Sequence, residues 1–180
     1  MTGLCVRFAV AADGDAIGNA HATAWEAAYT YIFDPSFLAA AAQGRRAGWH
    51  QAIAGILTPP NLLLVGELDG NVHAFAHAVP GGDDSHVGEI LGFYAHPVAW
   101  GTGLAALLMQ RTCEALTDAG CDEVVLWTHR DAQQARRFYE KAGFAPTGKA
   151  RTARLTDWGS APVDCPEVEY HKRIATASVD

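Results

Sequence analysis

The chain has 180 residues, enough for one domain with a real core and short for two. Apolar residues make up 49% and charged residues 18%, the balance of a globular domain. With 13 basic and 20 acidic side chains the net charge is −7, so the basic footprint of a nucleic-acid binder is missing.

Residues 4–10 (LCVRFAV) predict a first strand. Asp13 or Asp15 is placed to cap the helix that follows, in which Ile17, Ala20, His21, Ala24, Trp25 and Ala28 recur on one face. Asp34-Pro35 predicts a second helix start, with Asp as cap and Pro at the first position. That helix runs to about 57, with a break expected near Gly44 or Gly48, and Pro59-Pro60 ends it.

Residues 62–68 and 71–79 read as strands joined by a hairpin turn at Asp69-Gly70. A polar loop, PGGDDSH, leads to a further strand over 87–96. A glycine turn then opens a helix over about 103–118, with Leu104, Leu107, Leu108, Ala115 and Leu116 on its buried face. Another strand covers 123–128. Asp131 and Gln134 suggest a capping-box variant for a helix over 132–142, which Gly143 ends. One or two closing strands finish the chain. This order predicts a single α/β (α+β) domain over residues 1–180, with a mixed sheet flanked by helices.

No apolar run approaches the ~20 residues that span a bilayer, and the first residues lack the pattern of a secretory leader. Cys5, Cys113, Cys121 and Cys165 are scattered without a CxxC pair, and read as reduced thiols of a cytoplasmic protein.

The stretch HPVAWGTGLA, residues 96–105, raises a chemical question. Gly101 and Gly103 let backbone approach a ligand, and a helix N-terminus presents free N–H groups with a positive dipole end. Together they suit a phosphate or pyrophosphate without any lysine. A tight turn with no ligand fits these ten residues equally well. Two other nucleotide motifs fail. The Rossmann series stops after Gly103. The Walker-like GFAPTGKA has Ala150 where Ser or Thr should hold magnesium, and it follows a helix instead of a strand.

A second stretch separates these readings. LWTHRDAQQARRFYEKAGF, residues 126–144, ends in RRFYEKAGF and follows the P-x-x-W-G-x-G-x-A turn. The pair in this order resembles the GNAT superfamily of acetyl-CoA-dependent N-acetyltransferases. The resemblance covers residues 60–150 well, and extends loosely to the first strand and to HATAWEAAY.

The resemblance implies a central mixed, mostly antiparallel sheet and acetyl-CoA as co-substrate, with no metal. Its pyrophosphate would meet the backbone N–H groups of Trp100, Gly101, Thr102, Gly103, Leu104 and Ala105. Its pantetheine arm would meet main-chain groups of Phe93, Tyr94 and Ala95 on a splayed strand. Tyr139 matches the family tyrosine that protonates the departing thiolate, and a phenol with a reference pKa near 10 holds that proton at neutral pH. Two positions depart from the family pattern. Trp100 stands where Arg or Gln is common, which removes a side-chain phosphate contact. Ala132 stands where an Asn often touches the CoA arm, and Asp131 is the nearest substitute.

An attacking amine must lose a proton, which asks for a nearby carboxylate or imidazole. Glu89 is the first candidate. Simple strand alternation puts it on a face with Leu91, Phe93 and Ala95, and family members use an acidic residue here. The N-terminal helices supply the acceptor wall in this family, so His21, Trp25, Tyr29, Tyr31 and Phe33 are candidates, many of which also suit a core. His73 and His77 lie ~13 Å apart on a strand, too far for one zinc with bonds of ~2.1 Å.

Two functions stand on these residues. One is an N-acetyltransferase acting on a primary amine by direct attack in a ternary complex. The other is a CoA-binding or sensing module without transfer. The family resemblance makes a homodimer an expectation, with no membrane or nucleic-acid partner.

Overall fold

The structure, a computed structural model, describes residues 3–81, 85–155 and 162–174. Seven strands and four helices follow one another as β1 (Leu4–Phe8), α1 (Gly14–Ala28), α2 (Pro35–Ile56), β2 (Leu62–Leu68), β3 (Asn71–Val79), β4 (Val87–Ala95), α3 (Leu104–Asp118), β5 (Glu123–His129), α4 (Gln133–Lys141), β6 (Ala145–Leu155) and β7 (Val163–Arg173). All seven strands join one sheet in the order β1-β2-β3-β4-β5-β7-β6. Every neighbouring pair is antiparallel except β4 and β5, which are parallel. This is the mixed, mostly antiparallel sheet that the sequence predicts. The two closing strands do not follow in spatial order, because β7 inserts between β5 and β6.

Local chemistry explains several elements. Asp69 and Gly70 both take positive φ, 51° and 80°, as a two-residue hairpin turn demands. Asp34 caps α2 by accepting from the Ser36 N–H at 2.9 Å, and Pro35 follows. The sheet then buries both faces. Ile17, Trp49 and Ile53 of α1 and α2 pack on Leu63, Val65 and Phe75. On the other face, Met109 and Leu116 of α3 and Tyr139 of α4 pack with Ile90, Val124, Leu126 and Tyr170.

Three local expectations are corrected. No break occurs at Gly44 or Gly48, since α2 is continuous from Pro35 to Ile56. A helical glycine costs only about 1 kcal/mol, and the close packing of α1 on α2 outweighs it. That packing is tight at Gly18, where an added Cβ would stand 2.8 Å from the Arg46 carbonyl oxygen. Asp13 holds the N-cap position of α1 without a side-chain cap bond, and its carboxylate instead takes two bonds from Arg7. Asp131 and Gln134 form no capping box. Ala132 is the N-cap of α4, and Asp131 pairs with Arg130 at 3.2 Å.

Candidate active site

The parallel pairing of β4 with β5 stops at Ile90 opposite Leu126. Beyond that point β4 pairs only with β3, so the two strands splay apart. The His96 N–H donates to the His73 carbonyl at 2.7 Å. Antiparallel alternation therefore turns the main-chain groups of Tyr94 and Gly92 toward β3, and those of Phe93 and Ala95 toward the splay. The Tyr94 backbone is thus committed to the sheet, and its side chain packs against His21 and Phe75. The Ala95 carbonyl is also engaged, by the Trp100 indole N–H at 2.9 Å.

A bulge sits at the start of the splay. His77 pairs with Gly92 and Ala78 with Ile90, leaving Leu91 as the extra residue. The bulge resets which side chain faces where. Ile90, Phe93 and Ala95 pack toward α3 and α4. Tyr94 packs toward α1 and α2, and a Cβ on Gly92 would meet the Phe75 and Tyr94 rings there. Gly88 faces Leu116 of α3, so Glu89 between Gly88 and Ile90 faces the α1 side. Glu89 shares that face with Gly92 and Tyr94. The expected face with Leu91, Phe93 and Ala95 is overturned by the one extra residue. No group among the described residues hydrogen-bonds the Glu89 carboxylate.

The glycine turn lies at the end of β4. Gly101 and Gly103 have φ of 75° and 92°, a region in which an L side chain is strained. Gly103 is the N-cap of α3 and offers no side chain to its first turn. The Trp100 N–H bonds Pro97, the Thr102 N–H bonds Ala99, and the Leu104 N–H takes the Thr102 hydroxyl. Those three of the six expected donors are spent inside the turn. The N–H groups of Gly101, Gly103, Ala105 and Ala106 have no partner among the described residues, and an added Cβ on Gly101 would meet nothing within 4 Å. This concave row of donors at a helix N-terminus fits a pyrophosphate.

Tyr139 comes from α4 and is 7% exposed, with its ring edge toward Phe93 at 6.4 Å. Burial, followed by the phenol of Tyr94, raises its pKa above the usual phenol value, so the proton stays on at neutral pH. Burial likewise raises Tyr29 well above its usual value, with the phenols of Tyr94 and Tyr139 adding to the effect. Tyr29 and Tyr94 pack against one apolar cluster with Trp25, Phe33 and Phe37, and Tyr139 belongs to the cluster on the other face of the sheet. Among the described residues nothing hydrogen-bonds the Tyr139 hydroxyl.

The expected acceptor residues divide. Trp25 is buried and stacked on Phe33 at 5.5 Å, with the Arg45 guanidinium 3.5 Å from its ring centre. His21 is held inside the α1–α2 contact: Trp49 Nε1 lies 3.0 Å from its Nδ1, and Arg45 Nε lies 3.2 Å from its Nε2. Burial and the Arg45 charge push its pKa well below the ordinary value, so the ring is neutral. A neutral imidazole has one lone pair, so only one of those donors makes a true bond. His21 lies against the Tyr94 ring and Trp25 against the Tyr29 ring, with ring centres 4.3 and 4.8 Å apart.

Tyr31 is exposed and lines a cleft of about 340 Å³ with Phe33, His129, Asp131 and Asp164. His129, at the end of β5, is a residue that the sequence reading passed over. Its Nδ1 accepts from the Asp131 N–H at 3.0 Å, which leaves the ring proton on Nε2. A larger cavity of about 540 Å³ lies on the flank of α3 against Lys172 and Ile174, and contains none of the expected site residues. Among the described residues, no group of three His, Cys, Asp or Glu side chains could hold a metal ion. No helix among them is long and apolar enough to cross a membrane.

Comparison with known proteins places this geometry. Uncharacterized N-acetyltransferases of Mycobacterium tuberculosis and Mycobacterium bovis are 37% identical over 97 residues, which is 54% of this chain and 60% of each relative. A PaiA N-acetyltransferase from Thermoplasma acidophilum, solved with coenzyme A, superposes with a TM-score of 0.71 at 14% identity, over 96% of this chain and 99% of its own. YncA of Salmonella typhimurium, solved with acetyl-CoA, gives 0.61 at 20% identity, over 98% of this chain and 96% of its own. The model of the acetyltransferase (GNAT) family matches residues 15–144, most of the chain, and the chain belongs to that family.

Proposed function

We propose that this chain is an acetyl-CoA-dependent N-acetyltransferase acting on a primary amine. The observation that carries the reading is the splay beyond Ile90, with free helix N–H groups at one end and Tyr139 against Phe93. The N–H groups of Gly101, Gly103, Ala105 and Ala106 would hold the pyrophosphate. The main-chain groups of Phe93 and the Ala95 N–H would hold the pantetheine arm. Asp131 lines the cleft beside Tyr31 and Phe33, which favours an acceptor-side role for it over the CoA contact.

Acetyl-CoA brings an activated thioester. A β4 main-chain N–H in the splay would stabilise the oxyanion of the tetrahedral adduct. Glu89, facing the α1 side, would take a proton from the attacking nitrogen. Tyr139, across the strand, would give one to the departing sulfur. Acid and base on opposite faces of β4 suit a thioester threaded between the strands. Free thiols at Cys5, Cys113, Cys121 and Cys165 suit a cytoplasmic enzyme. A homodimer remains part of the proposal through the family alone.

One observation favours the second reading, a CoA-binding module without transfer: the Trp100 indole occupies the Ala95 carbonyl that an arm would use. Isothermal titration with acetyl-CoA, with CoA and ATP as controls, tests the shared part. Micromolar acetyl-CoA binding that ATP does not match supports both readings, and its absence sinks both. Thiol release from acetyl-CoA with added amines then separates the enzyme from the module.

A further inference from the structure

β3 carries a histidine that the mechanism above leaves unused. His77 Nε2 lies 2.8 Å from Asn61 Oδ1, and Asn61 Nδ2 donates to the Thr58 carbonyl at 2.8 Å. The second bond settles the first. Flipping the Asn61 amide would set its oxygen against the Thr58 oxygen, so the amide nitrogen must face Thr58 and the amide oxygen must face His77. That oxygen can only accept. The imidazole proton therefore sits on Nε2, and the lone pair sits on Nδ1. No group among the described residues bonds that Nδ1.

The place of His77 is as telling as its tautomer. It pairs directly with Gly92, the residue after the bulge where β4 leaves β5. Paired residues share a face, with Cα atoms about 5.5 Å apart. That face is the one that carries Glu89 and Tyr94. Gly92 has no side chain, and the space above it is open apart from ordinary contact with Phe75 and Tyr94. The His77 imidazole thus stands on the strand face beside Gly92, where the splay begins.

We propose that His77 is a second proton acceptor of the transfer reaction, held in its active tautomer by Asn61. This inference rests on the transferase reading. A protonated amine must lose two protons to become an amide N–H. His77 Nδ1 takes the first, from the ammonium group, and returns it to solvent. The freed nitrogen attacks the thioester carbon, forming the C–N bond. Glu89 takes the second proton from the adduct nitrogen as the C–S bond breaks, and Tyr139 protonates the sulfur. Exchange with solvent restores Glu89 and Tyr139, so one proton leaves overall. Asn61 touches no reacting atom and is a positioning residue.

Burial lowers the His77 pKa below the ordinary imidazole value, so the free base prevails at neutral pH. Burial alone sets this direction, and the Glu89 carboxylate on the same face would act the other way. The 58–61 loop presents the neutral Asn61, β2 presents Leu63, and β4 presents Glu89 and Tyr94 on the same face.

The test uses the whole chain, acetyl-CoA and a panel of a polyamine, a phenethylamine and an aminoglycoside, with thiol release as readout and water alone as the background control. His77→Gln keeps an N–H for Asn61 but removes the base. It is expected to lower kcat/KM by about 100-fold or more with acetyl-CoA affinity unchanged. Asn61→Ala removes the acceptor of the Nε2 proton, and nitrogen-15 spectra of that variant should show the proton shared between both ring nitrogens. Nitrogen-15 spectra of histidine-labelled protein should show His77 protonated on Nε2 alone.

His77→Gln within threefold of the parent, an unchanged single tautomer in Asn61→Ala, or a proton on Nδ1 in the parent would each overturn the assignment while leaving the transferase reading intact. A parent chain that binds no acetyl-CoA, or releases no thiol above the water background with any amine of the panel, overturns the transferase reading and this inference with it.

Discussion

The Trp100 indole folds back onto its own strand and donates to the Ala95 carbonyl at 2.9 Å. Ala95 is the last residue of β4, and its main-chain groups face the splay. The side chain that stands where the resemblance leads one to expect Arg or Gln thus competes for a group that a pantetheine arm would use.

Trp100→Phe removes the indole donor and keeps an aromatic ring. The freed Ala95 carbonyl should bind acetyl-CoA more tightly, by up to about fivefold, since one such bond is worth about 1 kcal/mol net. Calorimetric titration of the two proteins measures it. Weaker binding in the variant would mean that the indole itself contacts the cofactor.

The Tyr139 hydroxyl bonds nothing among the described residues, although its ring is buried among Phe93, Phe138 and Phe144. Tyr139→Phe should therefore leave stability within about 0.5 kcal/mol of the parent. Acetyl-CoA affinity should stay the same, and kcat should fall by about 100-fold or more. Urea unfolding and steady-state thiol release read the two effects separately. An unchanged kcat would remove Tyr139 from the chemistry.

The Asp13 carboxylate accepts from Arg7 at 2.7 and 2.9 Å and from the Val10 N–H at 2.8 Å. The Arg7 bonds lead in holding its pKa below the ordinary carboxylate value, against the opposing effect of burial. A folded pKa below the unfolded value of about 3.9 stabilises the protein above that pH, and the contribution disappears as pH falls through the folded pKa. Asp13→Asn should cost about 2 kcal/mol at neutral pH, less than a fully buried pair because Arg7 is partly exposed. The cost should shrink in acid, where the parent loses the same charge. Urea titrations at neutral pH and near pH 3 check both statements; an equal cost at both would show that the charge of Asp13 contributes nothing.

Much of the fold was readable from local chemistry. The Asp69-Gly70 turn, the Asp34-Pro35 cap and the glycine turn before α3 each lie where residue type alone restricts the backbone. The expected break in α2 failed because Gly44 and Gly48 carry only a small intrinsic penalty, which packing on α1 overcomes. The expected cap at Asp131 failed because the helix begins one residue later, with Ala132 at its N-cap.

The sequence by itself determined the class of sheet, the glycine turn and the tyrosine on α4, since these follow from periodicity, from φ that only glycine tolerates without strain, and from motif order. Only the tertiary structure decided what faces what. One extra residue, Leu91, turns Glu89 toward Gly92 and Tyr94, because strand side chains alternate and a single insertion reverses every assignment before it. The tautomer of His77 depends on Asn61 and Thr58, residues outside its own strand. Such relationships exist only once strands and loops are brought together, because a hydrogen bond is set by position in space and not by spacing along the chain.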